Sequence, residues 1–309
     1  MQLVDETPEG FKSGFVALAG RPNVGKSTLM NALLRQKIAM VTPRPQTTRT
    51  RQLGIVTEPG YQMIFVDTPG IIKQPRHKLD EYMLNAAEEA LRDADVVLWL
   101  VDGSEAPGGE DRAIAAKLAT LGERTKVILG INKIDSLDAE QVIPQSEVYR
   151  ALLPDAEWIM FSALQGAGVS ELLEMLHEAL PEGPMYYPPE QITQSFLRDI
   201  AAEMIREQLM LQLREEVPYG TAVQVLEFKE REDEPTYVSA NIVVERDSHK
   251  GIVIGAKGSQ LRQIGEASRK EIEQMLGGKV FLDLWVKVEP HWRRDEQAMK
   301  RLGYGDENR

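Results

Sequence analysis

The segment Gly20-Arg21-Pro22-Asn23-Val24-Gly25-Lys26-Ser27 constrains this 309-residue chain more than any other. It follows an apolar run at 15–19 and leads into an amphipathic stretch at 27–34, which gives the G-x-x-x-x-G-K-S spacing its strand–loop–helix setting. The glycines let backbone N–H groups turn inward around phosphate oxygens, and the helix N-terminus adds positive potential. Lys26 then reaches the β- and γ-phosphates, and the Ser27 hydroxyl coordinates magnesium. A nucleotide site is the expectation.

The surrounding pattern predicts the fold that such a loop needs. Apolar runs at 15–19, 62–66, 95–101, 126–131 and 157–161 read as buried strands. Amphipathic stretches at 27–34, 79–92, 111–121 and 168–180 lie between most of them. Alternation of this kind implies right-handed crossovers and a mainly parallel sheet covered by helices on both faces. The runs 51–58 and 61–66, joined by Pro59-Gly60, read instead as a hairpin that adds one antiparallel edge.

Three further motifs follow strands of that sheet. Asp67-Thr68-Pro69-Gly70 ends the second run of the hairpin. Its acid can hold the magnesium ion, usually through water, and the Gly70 N–H can meet a γ-phosphate. Asn132-Lys133-Ile134-Asp135 ends a later strand. A buried Asp135 carboxylate would accept from guanine N1–H and N2–H₂ and reject adenine, which lacks that donor pair. Lys133 packs over the base plane, and Asn132 ties this loop to the phosphate loop. Ser162-Ala163-Leu164, after the next strand, supplies a backbone N–H to guanine O6. All four motifs stand at strand C-terminal ends, where open α/β sheets bind ligands.

The polar stretch 41–51 contains Gln46-Thr47-Thr48-Arg49. A threonine there completes the magnesium shell only when a γ-phosphate is present, which makes the segment an order–disorder switch. Thr48 is taken as the ligand, with Thr47 as the alternative. Arg49 and Arg51 read as solvated switch residues. An ATP-using kinase would share the phosphate loop, but Asn132-Lys133-Ile134-Asp135 opposes that class.

A second pattern begins after the stretch 181–189, whose four prolines read as a stiff linker. A helix over 195–214, strands over 221–228 and 236–245, short apolar 251–254, a helix over 259–276 and a strand over 279–288 give the order α-β-β-α-α-β. The polar tail after 290 is expected to fray after one short helix. Between the helical segments lies Gly251-Ile252-Val253-Ile254-Gly255-Ala256-Lys257-Gly258. A G-x-x-G turn with two helix termini aimed at it clamps about four nucleotides of single strand. Lys250, Lys257, Arg262, Arg269 and Lys270 supply cations, while Ile252 and Ile254 are expected to line the groove for the bases.

Charge alone would argue otherwise. The net charge is −12, from 36 basic and 48 acidic residues, which disfavours non-specific nucleic-acid binding. From Arg246 to Arg301, however, 12 basic and 8 acidic residues give a locally positive stretch. Single-stranded RNA is the expected partner, and DNA is not. Cysteine is absent, which excludes disulfides and thiolate metal ligands, and the four histidines lie far apart, which argues against a histidine-built metal site. The longest apolar run, 96–101, is far short of the ~20 residues a membrane helix needs. The first ten residues do not read as an export signal.

These motifs together resemble the Era family of translation-factor-related P-loop GTPases, over about residues 14–290. The resemblance implies an N-terminal tail (1–13), an α/β P-loop GTPase domain (14–180), a Pro-rich linker (181–194), a smaller α+β type II KH domain (195–290) and a C-terminal tail (291–309). It implies GTP hydrolysis with GTP/GDP and Mg²⁺, and binding of the 3′ end of small-subunit ribosomal RNA in 30S subunit assembly. It also implies a cytoplasmic monomer. The alternative is a GTP-regulated scaffold with peripheral membrane contact.

One residue departs from the Ras pattern. Ile71 follows Gly70 where Ras-like enzymes carry the glutamine that orients water. Catalysis would then rest on Lys26, Thr48, Asp67 and Gly70, with Asn23 helping to hold a K⁺ ion in place of an arginine finger.

Overall fold

The computed structural model describes residues 7–44, 47–70, 75, 77–122, 124–230 and 234–305. Gln46 and Ile71 lie outside the described residues. The chain divides into two compact units. One comprises Met1–Ala39, Thr48–Gln74 and Met83–Gln194; the other comprises Met40–Thr47, Pro75–Tyr82 and Ser195–Arg309.

In the first unit six strands form one sheet: β1 (Lys12–Ala19), β2 (Gln52–Glu58), β3 (Tyr61–Asp67), β4 (Val96–Asp102), β5 (Lys126–Asn132) and β6 (Glu157–Met160), in the order β2-β3-β1-β4-β5-β6. The expected hairpin is present: β2 pairs antiparallel with β3, and every other pairing is parallel. Strand β4, Val-Val-Leu-Trp-Leu-Val-Asp, is buried along its whole length, because a strand covered on both faces has no solvent side to alternate toward. Val97, Trp99 and Val101 pack with Leu91 of α2 (Lys78–Asp93), with Ile114 and Leu118 of α3 (Gly109–Leu118), and with Tyr149 of α4 (Ala139–Arg150). Helix α1 (Lys26–Leu34) buries Leu29, Met30, Leu33 and Leu34, and α5 (Val169–Ala179) buries Leu172 and Leu176.

Two features of this unit depart from the sequence reading. Helix α4 carries Pro144 in its interior, and proline there removes a backbone donor and signals a break. A capping box between Asp138 and Gln141 fixes the helix start, and Tyr149 anchors it in the core. The proline-rich stretch is also not a free spacer. The Gln62 amide donates to the Tyr187 carbonyl at 2.8 Å and accepts from the Tyr186 and Tyr187 N–H groups. The Ile55 N–H donates to Ile192 and the Thr193 hydroxyl to Leu53, which covers the edge strand β2.

The second unit contains α6 (Leu197–Gln212), β7 (Ala222–Lys229), β8 (Thr236–Val244), α7 (Asp247–Ile254), α8 (Ser259–Leu276), β9 (Val280–Val288) and α9 (Glu296–Arg301). Its sheet runs β7-β8-β9, with β7 antiparallel and β9 parallel to β8. The alternating residues Val238, Ala240, Ile242 and Val244 form the buried face under the helices. The one short helix expected after residue 290 is present as α9, and the described residues on either side of it are packed rather than loose. Trp292 is fully buried, donates to the Gly220 carbonyl at 3.0 Å and stacks on Tyr304. One large aromatic outweighs the polar composition around it.

Candidate nucleotide site and RNA interface

The parallel register brings the C-terminal ends of β1, β3, β5 and β6 to one edge of the first sheet, and with them the four motifs. The Lys26 ammonium is buried and donates to the carbonyls of Gly20 and Arg21, each at 3.1 Å. Burial lowers its pKa, against the opposing charge of Asp67. Gly25 has φ +105°, and a Cβ there would stand 2.2 Å from the Asn132 amide nitrogen, so only glycine fits. Arg21 turns away from Lys26, bonding Glu105 at 2.5 Å and facing buried Asp111 at 3.4 Å. Pro22 packs against Gly70, and the Thr68 hydroxyl donates to Leu18. Pro69 links Thr68 to Gly70.

Three oxygens expected around magnesium meet in one place. The Ser27 hydroxyl donates to Asp67 Oδ2 at 2.7 Å, the Thr48 hydroxyl to the same atom at 3.3 Å, and the two hydroxyls lie 3.1 Å apart. Asp67 is fully buried, and its Oδ1 has no hydrogen-bond partner among the described residues. Burial raises its pKa, against the pull of Lys26 and the two hydroxyls. One carboxylate and two hydroxyls suit a hard divalent ion whose shell is completed by phosphate oxygens and water. The geometry separates the two threonines: Thr47 bonds the Thr42 hydroxyl at 2.8 Å and the Arg44 carbonyl at 2.7 Å, while Thr48 points at Asp67. Arg49 is buried rather than solvated, and Arg51 is exposed.

Around the base, Asn132 performs the tie expected of it. Its amide donates to the Val24 carbonyl at 2.8 Å and accepts from the Ala163 N–H at 2.9 Å. Lys133, in the left-handed region at φ +66°, bonds Asp102 at 2.5 Å. Asp102 ends β4 directly beside Asn132, and sequence reading missed it; the acid closing a wholly apolar strand was the available signal. Two details differ from expectation. Asp135, on the turn Ile134–Ser136, is exposed rather than buried. The N–H groups of Ser162 and Ala163 are already bonded to Ala167 and Asn132, and the exposed Leu164 presents the remaining one of the three. Asn23, at φ +66°, is exposed at the tip of the phosphate loop.

In the second unit the G-x-x-G turn joins α7 to α8. Gly255 has φ +71°, and a Cβ there would press within 2.7 Å of Gln260. Ala256 and Lys257 are exposed, Lys257 in the left-handed region, and Gly258 caps α8. A groove of about 390 Å³ runs from Gly258 between α8 and β9, with Arg262 and Arg269 on its helical wall. Its apolar lining comes from Leu261, Val280, Phe281, Leu282 and Leu284, while Ile252 and Ile254 sit on α7 outside it. Lys250 lies on α7, and Lys270 is exposed on α8. The alternation along β9 gives no sign in the sequence that its edge is open.

Family models match both parts of the chain: a 50S ribosome-binding GTPase over residues 15–133 and a KH domain over residues 216–293. The chain is 47% identical to the GTPase Era of Halothermothrix orenii, covering 95% of this chain and 99% of that one. It is 48% identical to the GTPase Era of Geobacter metallireducens, covering 95% and 98%. Among solved structures it resembles a point variant of Aquifex aeolicus Era bound to GDP·AlF₄⁻, with a TM-score of 0.90, 39% identity and coverage of 95% and 99%. It equally resembles Era in complex with MgGDPNP and nucleotides 1506–1542 of 16S ribosomal RNA, with a TM-score of 0.90, 40% identity and the same coverage. The likeness runs along nearly the whole length of these proteins, and the chain belongs to the Era family of GTPases.

Proposed function

We propose that the protein is a GTP-hydrolysing switch that binds the single-stranded 3′ end of small-subunit ribosomal RNA and acts in assembly of that subunit. The observation that carries the reading is the convergence of Ser27, Thr48 and Asp67 at the end of the phosphate loop, in a chain that also holds a G-x-x-G groove. Magnesium, when bound, neutralises charge developing on the β- and γ-phosphate oxygens. Lys26 adds a second positive charge from a buried position, where it acts more strongly than in water. Thr48 is drawn to the γ-phosphate state through its hydroxyl, so hydrolysis releases the segment that carries it.

Guanine is selected by Asp135, with Lys133 over the base and the Leu164 N–H toward O6. RNA is held at Gly255–Gly258 with help from Lys250, Lys257, Arg262, Arg269 and Lys270, the bases lying against Leu261 and Leu282. No helix among the described residues is long and apolar enough to cross a membrane. The deciding experiment is sedimentation of the purified protein, loaded with GTP or GDP, with small ribosomal subunits or with anionic vesicles. Subunit-dependent pelleting supports this reading. Pelleting with vesicles alone sinks it in favour of the peripheral scaffold.

A further inference from the structure

In the second unit α6, α7 and α8 pack on one face of the three-stranded sheet, the face of Val238, Ala240 and Ile242. On the other face the segment after Pro290 covers one end, where the Gln224 amide donates to the Arg301 carbonyl and Ala222 and Val243 are buried. The rest of that face is open and aromatic. Phe281 and Trp285 of β9 are each 61% exposed, although large apolar side chains on a sheet normally find a cover. They stand four residues apart on one strand, so both project from the same face, about 13 Å apart at roughly 3.3 Å per residue. Tyr237, directly opposite Phe281 in the register, stacks on it with ring centroids 5.9 Å apart and planes at 21°. The Trp285 indole N–H is held by Asp283 at 3.1 Å, which fixes the ring's orientation on the surface.

This face is continuous with the groove: Phe281 also lines the cavity between α8 and β9, so the same strand edge borders both surfaces. A single strand leaving the groove meets, on crossing that edge, flat rings rather than the branched aliphatics of a protein-docking patch. Lys279, Lys287 and Lys229 lie exposed at the ends of β9 and β7, Lys229 bonded to Glu227 at 2.5 Å and Lys279 facing Glu273 at 3.9 Å. Aromatic platforms bordered by cations are how proteins hold unpaired bases without reading their sequence.

We propose that the open face of the β7-β8-β9 sheet is a second RNA-binding surface, on which bases beyond those held in the groove stack on the Phe281–Tyr237 pair and on Trp285. The inference rests on the RNA reading of the G-x-x-G groove and extends the footprint beyond it.

The test uses the full-length protein and two fluorescein-labelled single-stranded RNAs from the 3′ end of small-subunit ribosomal RNA. One is about four nucleotides long, the span of one KH clamp, and one is about twelve. Trp285→Ala should weaken the long RNA on the order of tenfold, the loss of one stacked base, and leave the short one unchanged. Trp285→Phe should restore affinity for the long RNA while removing the tryptophan quenching that it causes. An unchanged affinity of Trp285→Ala for the long RNA overturns the proposal and leaves the face to a protein partner. Equal binding of both RNAs by the wild-type protein overturns it as well. The double variant Gly255→Asp, Gly258→Asp separates the two readings. It should lose both RNAs, and if it binds the short RNA as the wild type does, the groove reading itself fails.

Discussion

The side-chain amide of Asn132 donates to the carbonyl of Val24 at 2.8 Å, so the loop that reads the base is fastened to the loop that holds the phosphates. Both partners are buried, and the bond spans 108 residues of sequence. Neither loop can shift alone.

Asn132→Ala should therefore act on both ends of the nucleotide. It leaves the Val24 carbonyl and the Ala163 N–H buried without a partner, at about 1–3 kcal/mol each. GTP and GDP affinities should fall by a similar factor, since neither bond involves a γ-phosphate contact. Calorimetric titration with both nucleotides, alongside thermal unfolding, reads the two effects.

Asp135→Asn replaces an acceptor pair with one donor and one acceptor. GTP affinity should drop by at least about 10²-fold, given ~1.5–3 kcal/mol for each hydrogen bond to a charged group. Xanthosine triphosphate, which presents a carbonyl where guanine has its amino group, should gain affinity from the same change. Competition between the two nucleotides for wild type and variant decides it. A variant that still prefers GTP would remove Asp135 from the base site.

The Lys133–Asp102 pair predicts an acid limit. Burial pushes the Asp102 carboxyl up, but the hydrogen bonds from Lys133 and Ser104 outweigh it and hold the pKa below the ordinary range. A depressed folded pKa gives stability that is present above the unfolded value, about 3.9, and lost as pH falls through the folded one. The stability difference between wild type and Asp102→Asn should be constant near neutrality and shrink below about pH 4. Denaturant titrations at stepped pH measure it.

Asn23 should make turnover sensitive to the monovalent cation. With isoleucine after Gly70, a K⁺ ion held near Asn23 would supply the positive charge that an arginine finger would otherwise bring. GTP hydrolysis should be about tenfold faster in KCl than in NaCl at equal ionic strength, equivalent to ~1.4 kcal/mol of transition-state stabilisation. Asn23→Ala should abolish the difference. Equal rates in the two salts for the wild type would end the idea.

The motifs legible in the chain were those whose chemistry depends on local spacing. Gly25 next to Lys26 and Ser27 specifies a phosphate loop whatever lies around it, and the hairpin at Pro59-Gly60 is a local turn. Helix α4 was hidden because Pro144 carries a strong local signal that a capping box and the buried Tyr149 override. Trp292 was hidden in a polar tail because its partner, the Gly220 carbonyl, lies 72 residues away.

Local chemistry along the chain determined which motifs exist and in what order, because strand–loop–helix units need only neighbouring residues. Only the tertiary structure decided which of two adjacent threonines faces Asp67, that Asp102 holds Lys133, and that Leu261 and Leu282 rather than Ile252 line the groove. Those outcomes depend on sheet register and helix packing, which bring together side chains that no spacing in the sequence relates.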